Sequence, residues 1–95
     1  MTAYVIVILE SINDPQGLQT YSGKAQQAMT ETLELIAAYG NIEVLEGGQP
    51  AGVVMLRFPS MEDARRWYNS DTYQSAQPLR KAAADCRVLL VEGIA

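Results

Sequence analysis

The chain contains no histidine and a single cysteine, Cys86, among its 95 residues. The first absence removes the commonest general base and the imidazole ligand of zinc and haem iron. Nucleophilic mechanisms that rely on a histidine partner are excluded with it. One thiol closes no internal disulfide and cannot alone hold a structural zinc, so no metal site is expected. Neither GxGxxG nor GxxxxGK[ST] occurs, so dinucleotide and nucleotide cofactors have no signal. On these grounds no cofactor is expected.

Positive charge is also scarce. Seven basic residues stand against eleven acidic ones, a net charge of −4. Nucleic-acid binding draws most of its affinity from a basic footprint, and anionic membrane surfaces attract the same kind of patch. Neither partner is expected. The longest apolar run near the start, Ala3 to Leu9, is far shorter than a membrane span. It has no basic residues before it and no small-residue cleavage site after it, so it does not read as a signal peptide. The expected location is cytoplasmic, which suits a lone cysteine. Hydrophobic residues make up 48% and charged residues 19%, an ordinary globular balance. Residues 1–95 are read as one domain, long enough to hide roughly 60–65% of the surface its unfolded chain exposes.

What is present reads as alternating strands and helices. Ala3–Glu10 is β-branched, aromatic and apolar at both parities, a strand covered on both faces. Asp14 and Pro15 form a helix start. Leu18, Tyr21, Ala25, Met29, Leu33 and Ile36 then recur at steps of three and four, which predicts a helix over Pro15–Tyr39 closed by Gly40. Asn41–Glu46 is expected as a short strand, residues 47–52 as a turn, and Val53–Phe58 as a third strand ended by Pro59. Ser60 to Asp63 resembles a capping box and opens a helix to about Asn69. Ser70-Asp71 is a second cap before a turn carrying Tyr73, and Pro78 is expected to start a final helical piece. Cys86–Glu92 is the last strand.

The order β-α-β-β-α-β is the ferredoxin-like plan: an α+β fold with a four-stranded antiparallel sheet and helices on one face. The first and third strands are apolar on the opposite face too, which should not meet water. The economical cover is a second copy of the same sheet, so a homodimer through sheet faces is expected. The plainer alternative is a monomer with one mildly apolar face.

The stretch from Phe58 to Gln74 has the pattern F-P-S-x-x-x-A-x-x-W-Y-x-S-x-x-Y-Q, followed by Leu79-Arg80 and Val91-Glu92-Gly93. It resembles the DUF1330 family over about 40 C-terminal residues, with Tyr4, Asp14-Pro15 and Tyr21 as looser matches further up. The resemblance implies the dimeric α+β barrel superfamily. The central segment between Tyr39-Gly40 and Gly52 is shorter than in that family, as if part of the central hairpin were missing. The wider superfamily includes cofactor-independent monooxygenases, isomerases, haem enzymes and effector-binding regulators, so the resemblance leaves the activity open.

In such a fold a pocket can open between helices and sheet, and Tyr21, Trp67 and Tyr73 would give it an apolar wall with polar tips. Otherwise these aromatics are simply core. Arg80, within the family-like stretch, could hold a ligand carboxylate, or it could bridge to Asp85 or Glu92. The ligand site is therefore read as Tyr21, Trp67, Tyr73 and Arg80, with a small aromatic or acidic molecule as occupant. No catalytic residue is singled out. Glu10, Glu46 and Glu92 at strand ends, Arg57, Arg65-Arg66 and Cys86 carry weaker signals. The functional expectation is a small-molecule-binding domain or a cofactor-independent enzyme resembling an isomerase or monooxygenase. The alternative is a non-enzymatic dimerising accessory or ligand-sensing module.

Overall fold

The computed structural model describes residues 1–95. Its elements are β1 (Ala3–Ile12), α1 (Pro15–Gln26), β2 (Glu34–Ala38), β3 (Gly52–Phe58), α2 (Met61–Tyr68), α3 (Asp71–Ala83) and β4 (Ala84–Glu92). The strands form one antiparallel sheet in the order β2-β3-β1-β4. This is the ferredoxin-like α+β arrangement. The molecule is a slab of 33 × 33 × 16 Å, one layer of helices on one sheet. No helix is long and apolar enough to cross a membrane.

The strand pleat sorts β1 into two faces. Ala3, Val5, Val7 and Leu9 are buried beneath the helices, opposite Phe58, Leu56, Val54 and Gly52 of β3. Tyr4, Ile6 and Ile8 point the other way and are only half-buried. With Val53, Met55, Leu89 and Val91 they form an apolar field on the face without helices. Ion pairs Arg57–Glu34 and Arg87–Glu10 accompany it.

The helix starts are where local chemistry requires them. Asp14 caps α1 by accepting from the Gly17 N–H at 3.1 Å, with Pro15 in the first turn. Ser60 caps α2 through the Asp63 N–H, and Ser70 caps α3 through the Tyr73 N–H. Each satisfies an orphan donor worth about 1 kcal/mol.

Three elements differ most from expectation. The first helix ends at Gln26 rather than Tyr39, because the largely apolar Glu34–Ala38 pairs with the edge of β3 instead of extending α1. Short apolar runs fit either period, and here the unpaired backbone of β3 decides. Consequently Asn41–Glu46 is no strand but part of an irregular connection over residues 39–51. The sheet is still four-stranded; the shortening falls on α1, with the hairpin partner of β3 drawn from residues 34–38. Finally, Pro78 does not start a new helix: it lies inside a continuous α3. Tyr73, Ala76, Arg80 and Ala83 are all buried along one stripe of α3, and that burial outweighs the roughly 3 kcal/mol a mid-helix proline costs.

Candidate functional site

A cavity of about 190 Å³ lies between α1 and the sheet. Its floor comes from alternate residues of two central strands, Val7 and Leu9 on β1 with Val54 and Leu56 on β3. Leu18, Tyr21 and Ala25 line it from α1, spaced at three and four so that they share one helix face. Met29 and Tyr39 also contribute; their side chains are 45% and 46% exposed, which puts them at its solvent side. Trp67 and Arg80 line it from α2 and α3. No aspartate, glutamate or lysine is among the lining residues.

Of the four residues the sequence pointed to, Tyr21, Trp67 and Arg80 line this cavity, and Tyr73 lies behind it, fully buried. Tyr73 organises the others. Its ring stands 4.3 Å from that of Trp67 and edge-on to Tyr21 at 6.3 Å, and its hydroxyl shares a 3.0 Å hydrogen bond with that of Tyr21. Phe58 and Tyr68 complete the aromatic cluster. Such packing holds side chains in fixed rotamers, so the cavity wall is preformed.

The polar accounting is uneven. Two buried side-chain polar atoms lack any hydrogen-bond partner, Trp67 Nε1 and Arg80 Nε, and both residues line the cavity. Arg80 is only 4% exposed, yet no carboxylate pairs with it, neither Asp85 nor Glu92. The ion pairs that do form belong to the exposed Arg57, Arg66 and Arg87. Buried unpaired N–H groups and buried lone charges are both costly. Burial works against the Arg80 charge, but Tyr73, Cys86 and Tyr21 outweigh it, and its pKa is raised above the ordinary value.

Burial, reinforced by Tyr73, holds the Tyr21 phenol far above its usual pKa. Tyr21 therefore stays protonated at physiological pH. It can donate a hydrogen bond into the cavity but is a poor source of phenolate. Burial also raises Tyr39.

Tyr39 is one of the lining residues that sequence reasoning missed, because Tyr39-Gly40 reads as the close of a helix. It takes the left-handed conformation itself, with φ 55°. Its ring covers Gly52, where an added Cβ would come within 3.0 Å of it. The close approach explains a glycine at that strand position.

Comparisons with known proteins bear on this geometry. The family described as "Domain of unknown function (DUF1330)" matches residues 2–94. The chain belongs to the DUF1330 family. The match extends well beyond the C-terminal motif, through α1, β2 and the irregular connection. No curated protein matches the chain. Among solved structures, the same fold recurs in a Rhodopseudomonas palustris protein of unknown function, 13% identical, covering 99% of this chain and 83% of that one, with a TM-score of 0.75. A dimeric ferredoxin-like protein of unknown function from Thermobifida fusca is 14% identical over 96% of this chain and 90% of its own, with a TM-score of 0.69. SnoaB of Streptomyces nogalater, a cofactor-independent oxygenase, is 8% identical over 97% and 90%, with a TM-score of 0.60. At these identities the likeness is one of fold.

Proposed function

We propose that this DUF1330 domain is a homodimer that binds a small molecule in the cavity between α1 and the sheet. The observation that carries the reading is the pair of unpartnered buried donors, on Trp67 and Arg80, at a preformed cavity. The two buried side-chain polar atoms left unsatisfied both belong to residues lining one cavity, which suits it to receive an acceptor from outside. The size is apt: an apolar cavity of about 150 Å³ accommodates benzene, and this one is about 190 Å³.

The dimer reading is supported by the sheet face without helices, an apolar centre accompanied by ion pairs. An apolar centre with a polar rim is the anatomy expected of an interface. The Thermobifida fusca relative, described as dimeric, supports the same reading.

An enzymatic version draws on Tyr21. A phenol kept protonated beside a cationic guanidinium can stabilise an oxyanion as it forms. The cavity supplies no carboxylate, imidazole or amine to remove a proton, so a substrate must arrive ionised or acidic enough to ionise unaided. Cofactor-independent oxygenation or isomerisation of an activated substrate fits that demand, and SnoaB is a neighbour named for such an oxygenase. Without a substrate of that kind the same cavity serves a ligand-sensing module.

A thermal-shift screen of single-ring compounds and quinones tests the binding reading. A true ligand raises the melting temperature with concentration as mass action requires. A flat response across the screen refutes it. Product formation from any hit in air separates enzyme from sensor, and oxygen uptake separates oxygenation from isomerisation.

A further inference from the structure

We propose that the ligand of this cavity is an aromatic monoanion, one ring bearing one carboxylate, with its acidic group against Arg80. The inference rests on the binding reading above and specifies its chemistry.

The charge comes first. Arg80 is the arginine that most needs a counter-ion, being 4% exposed, and it is without one. Arg57, Arg66 and Arg87 sit in water, where pairing contributes little, and each has a carboxylate. The net charge of −4 means acidic partners are plentiful in the chain, yet none reaches Arg80. A planar guanidinium with a free Nε–H accepts a carboxylate in a two-point geometry. The indole N–H of Trp67, a second residue lining the cavity, is also buried and unpaired.

The number of charges comes next. Arg80 is the sole charged residue among those lining the cavity. Away from the solvent side at Met29 and Tyr39, a second carboxylate would be buried against Val7, Leu18 and Leu56 with nothing to receive it, which is prohibitive. Arg80 can pair one anionic group. The rest of the wall is apolar and aromatic, and the volume holds a single ring. Aliphatic acids of similar length would fill it less well and lose more conformational freedom on binding.

Trp67 is the single tryptophan of the chain and lines the site, so its emission reports occupancy directly. The full-length protein is titrated at pH 7 with benzoate, benzamide and terephthalate. Benzoate is expected to give a saturable change, with benzamide at least tenfold weaker and terephthalate without saturation. In Arg80→Met the advantage of benzoate over benzamide should vanish. Benzamide as tight as benzoate overturns the anion assignment while leaving ring binding in place. Terephthalate as tight as benzoate overturns the limit of one charge. A preference for benzoate that survives in Arg80→Met overturns the role of Arg80. Silence from all three probes overturns this proposal, and the wider screen of single-ring compounds and quinones then decides the binding reading separately. The wild-type comparison of benzoate with benzamide decides the main point even where the variant does not fold.

Discussion

Arg80→Met should make the ligand-free domain more stable. The guanidinium is buried, with no carboxylate paired to it and its Nε–H unsatisfied. Its pKa lies above the ordinary arginine value, with burial opposed and overcome by Tyr73, Cys86 and Tyr21. It therefore cannot relieve the cost of burial by losing its proton. Tyr21, held protonated by burial, brings no negative charge to offset it at pH 7. Replacing buried ionic groups by apolar ones of similar volume is commonly neutral or stabilising by about 1–4 kcal/mol. Methionine keeps an unbranched stem in an apolar and aromatic setting that suits a thioether. A gain of about 1–3 kcal/mol is expected here, since contacts with Tyr73 and Cys86 are lost. For a domain of this length each kcal/mol moves the melting temperature by about 4–8 °C, so the rise should be about 5–20 °C.

Calorimetry at pH 7 and a fixed protomer concentration measures it, because a dimer's transition depends on concentration. Benzoate should raise the melting temperature of the wild type and leave that of Arg80→Met unmoved. A residue kept at the expense of stability is the signature of a functional site. A fall in melting temperature for the ligand-free variant would refute the reasoning: Arg80 would then be a structural group, satisfied well enough by Tyr73 and Cys86.

Three further outcomes are expected. Wild type should scatter light as about twice the 10.4 kDa chain, and Ile6→Glu, at the centre of the open sheet face, should give the single-chain mass; a monomeric wild type sinks the interface. In urea denaturation Tyr21→Phe and Tyr73→Phe should each cost about 0.5–1.5 kcal/mol, and the double variant clearly less than their sum, because both break the same 3.0 Å hydroxyl contact; strict additivity would mean that contact contributes nothing. Stability should fall above about pH 10: the Tyr21 pKa is raised in the folded state, so the unfolded chain loses that proton first, at up to about 1.4 kcal/mol per pH unit. The contribution is intact below the unfolded pKa, and Tyr21→Phe should flatten the alkaline limb of a melting-temperature profile.

The fold was legible where one signal had no competitor. Ala3–Leu9 has β-branched residues at both parities, and Asp14-Pro15, Ser60 and Ser70 are caps whose chemistry permits little else. The residues near the cavity from α2 and α3 were legible for a different reason: they sit in a dense motif, Trp67 to Arg80, whose aromatic content exceeds what a short helix needs. What could not be read is whether Arg80 meets a carboxylate or a cavity. That depends on how α3 passes Asp85 and Glu92 in space, and sequence distance does not encode it. Pro78 misled because propensity is local, whereas the buried stripe through Tyr73, Ala76, Arg80 and Ala83 is a tertiary term.

The largest misreading and the cavity share an origin. Leu33 and Ile36 continue the helical stripe of Leu18 and Tyr21, and Leu33–Ala38 also satisfies a strand. A helix carried on to Tyr39 would run about 20 Å beyond Gln26 at 1.5 Å per residue. Ending α1 at Gln26 instead leaves a gap beside its last turn, and the chain that turns back to form β2 lines it with Met29, Leu35, Ala38 and Tyr39. The arrangement has a conformational cost, a tyrosine held at φ 55° over a glycine whose added Cβ would press on its ring. Strain of this kind persists where surrounding structure enforces it, and here β2 pairing with β3 does so through the Tyr39 N–H to Val53 carbonyl bond. The ambiguous segment thus exchanges a longer helix for a wall. The aromatic and cationic residues from α2 and α3 meet a cavity because the first helix stops short.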